Sequence, residues 1–271
     1  MGLLVELSLV FVAGLVTALA TGLGAIPFFF AEEISDRWNV VLWGLASGIM
    51  VSASLFGLVL EGLAASSGLP VGMLIGLGAG VLLVVVSHDV LEATDVDPRA
   101  YEEADFRKLV LILGILTVHS FPEGVAIGVS FADLAFDVEN AVRIGGFAVP
   151  LLAVFMTVAI SIHNVPEGTA ISIPLRTMGV SEPKMVWWAV FSSLPQPIGA
   201  VLAYYFVSLA RALLPFGFGF AAGAMVYLVL TEFVPEALDL GTGLPGGGRR
   251  ELFAGLAVGV AVMVPLVLVQ V

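Results

Sequence analysis

Long apolar runs broken by short polar stretches make up the chain. A helix crosses the hydrocarbon core of a bilayer with about 20 residues. Runs of that length lie near 3–28, 39–61, 71–91, 109–131, 147–173, 185–210, 216–238 and 251–270. The pattern predicts an all-α polytopic membrane protein with eight transmembrane helices in a single transmembrane domain, 1–271, and no separate soluble domain. The longest polar break, residues 92–108, reads EATDVDPRAYEEADFRK and is expected to be an acidic loop. The first run has no basic stretch before it and outlasts a signal-peptide core, so it is expected to stay in the mature protein as a span.

Basic residues orient the spans, because Lys and Arg in short loops are retained on the cytoplasmic side. With eight spans, Arg37, Arg99, Arg107, Lys108, Arg176, Lys184, Arg249 and Arg250 fall on one side, and Arg143 and Arg211 on the other. This predicts a multi-pass protein of the cell membrane with both termini outside and the 92–108 loop in the cytoplasm.

The runs also repeat. Residues 46–62 laid on 221–237 match at seven of seventeen positions, Met50 with Met225 and Glu61 with Glu236 among them. The same offset of 175 pairs Gly24 with Gly199 and Ala25 with Ala200. The second span thus resembles the seventh and the first the sixth, and with eight spans the partners run in opposite directions, the inverted repeat of secondary transporters.

Composition sharpens this picture. Hydrophobic residues make up 59% of the chain and charged ones 12%, with a mean hydropathy of +1.09, outside the range of ordinary soluble domains. Cysteine is absent, which excludes disulfides, thiolate metal sites and cysteine nucleophiles.

Against that apolar background, VHSFPEGVAIG from Val118 and IHNVPEGTAIS from Ile162 each carry a histidine, a proline and a glutamate. His119 and Glu123 stand four apart, as do His163 and Glu167, so each pair shares one helix face and can grip one ion. Pro122 and Pro166 lack an amide hydrogen and leave the carbonyls of Val118 and Ile162 without helical partners, which lipid tolerates only around a cavity or inside protein. Two imidazoles and two carboxylates suit a dication such as Zn²⁺, Fe²⁺ or Mn²⁺ and balance its charge. Ionisable groups inside spans are functional by default. The third histidine, His88, ends the third span with Asp89 and Glu92 nearby, and Glu232 and Glu236 end the seventh. These five read either as a cytoplasmic exit relay for the ion or as polar helix ends at the headgroups.

HSFPEG and HNVPEG, with SGIMVSAS in the second span, SSLPQPIGA in the sixth and AAGAMVYLVLTEFVPEA in the seventh, resemble the ZIP family of divalent-metal transporters, in its prokaryotic zinc-permease branch. The resemblance covers nearly the whole chain. It implies a homodimer of eight-helix subunits in which helices 1–3 and 6–8 form inverted repeats around helices 4 and 5. It further implies metal uptake into the cytoplasm by an elevator-like movement of helices 1, 4, 5 and 6 against 2, 3, 7 and 8. Carried over residue by residue, the primary metal site falls on His119, Glu123, His163 and Glu167, with Met50 either a thioether ligand or packing. A second site or supporting shell falls on Ser120, Asn164 and Gln196. Ser and Gln replace the Asn and Glu common in that branch at the first and third positions, which puts a two-metal centre in doubt.

The expected function is Zn²⁺ uptake, with Fe²⁺, Mn²⁺ or Cd²⁺ as further cargo. The expected partners are divalent ions, the lipid bilayer and a second copy, with no nucleic acid and no catalytic cofactor. A metal-selective channel with the same ligands is one alternative. An intramembrane metallohydrolase is another, and neither motif copy has the HExxH signature such an enzyme uses.

Overall fold

The computed structural model describes residues 2–31, 34–92, 119–136 and 141–270. Helix α1, Leu3–Leu23, is mostly apolar, with Glu6, Thr17 and Thr21 buried in it, and stops where Gly24 precedes a 3₁₀ turn, Ile26–Phe29, with Pro27 in it. Helix α2, Asp36–Ser52, runs through a π-helical segment, Ala53–Val59, into α3, Leu60–Ala64. Helix α4, Val71–Glu92, follows, and α5 covers 119–130. Helix α6, Leu151–Thr177, continues through Pro166 and Pro174. Helices α7, Glu182–Ser192, and α8, Pro195–Leu209, meet at a break where Pro195 and Pro197 withhold two amide donors. Helix α9, Leu214–Leu228, passes through a second π-helical segment, Val229–Phe233, into α10, Val234–Leu240, and α11, Arg249–Gln270, ends the described chain.

Among the described residues six helical stretches are long and apolar enough to cross a membrane: Leu3–Phe29, Asp36–Ala64, Val71–Asp89, Leu151–Arg176, Glu182–Leu209 and Arg211–Gly243. The start of the predicted fourth span, and the loop 93–108, lie outside the described residues. One element departs from the all-α expectation. Ala141–Ile144 and Phe147–Pro150 form an antiparallel hairpin, Ile144 opposite Phe147. Gly145 and Gly146 turn it at φ +57° and +87°, a two-residue turn that demands positive φ at both positions. Helix α6 accordingly starts at Leu151.

Two packing sets organise the helices. Helix α1 packs on α6, α7 and α8, while α2 packs on α11 and α4 on α9. Small residues set the closest approaches, as expected where lipid supplies no hydrophobic drive between helices. A Cβ on Gly44 or Gly48 of α2 would collide with the carbonyls of Leu252 or Leu256 in α11. Gly219 and Gly223 of α9 lie in the same way on the carbonyls of Met73 and Leu77 in α4. The two glycine pairs stand 175 positions apart, and the same shift lays Ala53–Val59 over the π-helical Val229–Phe233. A main core cluster joins the sets through Ala46, Met50, Ala126, Ile160, Tyr204 and Met225.

Candidate metal site

The last residue of each PEG motif sets where the motif helices sit. A side chain on Gly124 of α5 would strike the carbonyl of Gln196 in α8, and one on Gly168 of α6 the carbonyl of Thr21 in α1. Each motif is therefore held backbone to backbone against one partner helix, and the glutamates one position earlier are carried inward. Glu123, His163 and Glu167 are 1%, 0% and 2% exposed.

These three side chains converge. His163 Nε2 stands 3.1 Å from Glu123 Oε1 and 3.9 Å from Glu167 Oε2, and one ligand atom from each lies within 4.8 Å of the others. Bonds of about 2.0–2.2 Å to one metal ion bring N and O ligands to such separations with only small side-chain movement. His163 Nδ1 and Glu167 Oε2 have no hydrogen-bond partner. Among the described residues no Lys or Arg pairs with either carboxylate. Two buried carboxylates without a cation are costly, so the arrangement favours a divalent ion.

Polar neighbours brace the group. The Gln196 side-chain amide donates to Glu123 Oε2. Asn164 Nδ2 donates to the Thr17 carbonyl at 2.8 Å and to Gln196 Oε1 at 3.1 Å. Ser120, Asn164 and Gln196 are all fully buried. Met50 is fully buried in the core cluster on α2.

His119 stands apart from the three. Its Nε2 lies 3.6 Å from Glu232 Oε1, in the second π-helical segment, and the same oxygen stands 2.8 Å from His88 Nδ1. His119 is buried and the His88 side chain is 46% exposed, so the row His119, Glu232, His88 leads from the interior towards the end of α4. Asp89 is exposed and Glu236 half-buried, and the Glu92 side chain lies outside the described residues.

Several supports escaped the sequence reading: the Thr17 carbonyl, the buried Thr21–Ser193 hydroxyl pair at 2.8 Å, and Phe233, whose ring lies 6.4 Å from that of His163. One signal was available for Thr21. It stands 175 positions before Gln196, and the two carbonyls receive equivalent motif glycines.

Known proteins resemble the chain over most of its length. The model of the ZIP zinc transporter family matches residues 86–266. A putative zinc transporter of Arabidopsis thaliana is 41% identical over 86% of this chain, although the chain spans only 35% of that protein's length. The zinc transporter GufA of Myxococcus xanthus is 30% identical over 90% of this chain and 92% of its own length. The zinc transporter ZIPB of Bordetella bronchiseptica is 34% identical over 89% and 78%. These relatives are transporters rather than enzymes, and the chain, with its buried acid–imidazole group and membrane-length helices, belongs to the ZIP zinc transporter family.

Proposed function

We propose that this protein carries divalent metal ions, Zn²⁺ foremost, into the cytoplasm by alternating access through a site between α5 and α6. The observation that carries the reading is the buried group of Glu123, His163 and Glu167; the relatives' names as zinc transporters support the choice of ion. The two carboxylates neutralise the cation and His163 adds a directional ligand. His119, one helical turn from Glu123, passes the ion to Glu232 and His88, with Asp89, Glu92 and Glu236 at the inner end. Met50 either adds a thioether ligand or packs behind the site. Gln196 and Asn164 orient the carboxylates, with Ser120 beside them.

Eight spans, inverted repeats of helices 1–3 and 6–8, and a homodimer in the plasma membrane with both termini outside complete the proposal. The repeat is supported by the glycine contacts and π-helical segments that recur at an offset of 175. Helix α1 packs on α6, α7 and α8, and the tightest pairs elsewhere are α2–α11 and α4–α9, with α6 also packed on α2; this supports a bundle of the first, fourth, fifth and sixth spans moving against the rest.

Radiolabelled Zn²⁺ uptake into proteoliposomes, with competing Fe²⁺, Mn²⁺ and Cd²⁺, tests the function. A carrier saturates and slows sharply on cooling; uptake that stays linear with concentration would identify a channel. Orientation is tested by thiols placed in this cysteine-free chain. A cysteine at position 100 should be labelled only from the cytoplasm and one at 135 only from outside, and reversed labelling would overturn the direction.

A further inference from the structure

Far along α2 from the ion site, the first turns of α2 and α11 lie side by side and frame a cleft of about 370 Å³. Arg37, Trp38 and Val41 line one wall and Arg250, Glu251 and Ala254 the other. Residues four apart share a helix face, so in each wall a charged group at the rim stands above a small apolar one. Just inside, Gly255 of α11 rests on the carbonyl of Val41, which closes the floor. The flanking surface is apolar and outward-facing: Trp38 and Phe253 are 63% and 65% exposed. A bilayer covers surface of this kind, and an indole at its edge belongs at headgroup level.

The rim carries charge of both signs. Glu251 Oε1 engages Arg37 through Nε at 3.1 Å. Among the described residues no other carboxylate reaches that guanidinium, and none pairs with Arg249 or Arg250. The second oxygen of Glu251, Oε2, is buried without a donor. Two guanidinium groups at the rim, against one carboxylate, favour an anionic acceptor. A phosphodiester supplies it, in the fork geometry arginine prefers, and acyl chains cover the walls formed by Val41 and Ala254.

We propose that this cleft binds one anionic phospholipid, such as phosphatidylglycerol, at the end of α2 and α11. The inference is independent of the metal site and of its cargo.

Native mass spectrometry of the full chain released from detergent tests it, with phosphatidylglycerol and phosphatidylcholine of matched acyl chains offered together. One phosphatidylglycerol per chain should be retained in preference to phosphatidylcholine. Arg250→Gln should weaken that retention about fivefold, the effect of one basic residue near an anionic headgroup, and Arg37→Gln added to it should weaken it about fivefold again. Arg211→Gln, a control at the other membrane face, should leave retention unchanged. Arg250 makes no ion pair among the described residues, so its substitution remains informative if Arg37→Gln disturbs folding. Equal retention of the two lipids, or unaltered binding by Arg250→Gln, overturns the proposal. So does displacement of the lipid by millimolar inorganic phosphate, which marks a site for the free anion. Disulfide linkage between copies bearing Ala254→Cys, in vesicles, also overturns it, because it gives the groove to a second copy.

Discussion

His119 and His163 hold the same place in two copies of one motif, and their surroundings differ. His163 turns to Glu123, the glutamate of the other copy, at 3.1 Å. His119 faces Glu232 at 3.6 Å, with His88 beyond it. The difference lies in the helices opposite. Glu232 stands in the second π-helical segment, and the position 175 before it, in the first, is Gly57. Gly57 is packed against the ring of Phe155 and the sulfur of Met156, so that position offers no second carboxylate. Glycine contacts and π-helical segments that recur at an offset of 175 thus frame a site that does not recur. One histidine sits within the carboxylate pair, and the other sits at the start of a row leading away from it.

The largest effect should come from breaking the converged group. Glu123→Ala or His163→Ala should reduce Zn²⁺ uptake at least about a hundredfold, since removing one member leaves the remaining buried charge and the cation poorly matched. Protein yield and membrane insertion should be unchanged. Near-normal uptake by both variants would remove these residues from the ion path.

A smaller loss, about tenfold, is expected for His119→Ala. Adding Glu232→Gln to it should cost little more, because the two residues act in series and neighbours in one network are not additive. If His119→Ala fails as completely as His163→Ala, and the double variant is fully additive, the two motif copies are equivalent and the contrast between them collapses.

The stoichiometry of the site sharpens the same contrast. A second dication about 4 Å from the first is repelled by several kcal/mol even at an effective dielectric near 20, and Ser120, Asn164 and Gln196 add no negative charge. Anomalous diffraction at saturating Zn²⁺ should find one ion between α5 and α6, and a second in Gln196→Glu. Two full sites in the unmodified protein would refute the single-ion reading; no gain in the variant would show that charge at 196 is not limiting.

The framework itself should respond evenly. Gly48→Val and Gly223→Val place the same side chain against equivalent carbonyls, of Leu256 and Leu77. Overpacking of about 1–3 kcal/mol should lower Tm by about 3–10 °C in both. A large drop in only one would show that the two helix pairs are not equally packed.

Much of this was legible in the chain. The apolar runs identify membrane helices because the hydrocarbon core sets their length. HSFPEG and HNVPEG mark the candidate metal site because ionisable groups are too expensive in lipid to be incidental. The offset of 175 could be read from Met50, Met225 and their neighbours, and with it the glycines that seat one helix on another. Local spacing also pairs each histidine with the glutamate four residues on, yet the 3.1 Å contact of His163 is to Glu123, forty positions away on another helix. Only tertiary packing decided that, because each side chain goes to the neighbour its helix is pressed against. The same holds for Gln196 on Glu123, His119 on Glu232 and the Thr17 carbonyl on Asn164. The hairpin at 141–150 was missed for a related reason, its first strand falling in a break between runs and its second at the start of the 147–173 run: a strand is stabilised by its partner across the ladder, and periodicity along one segment does not show that partner.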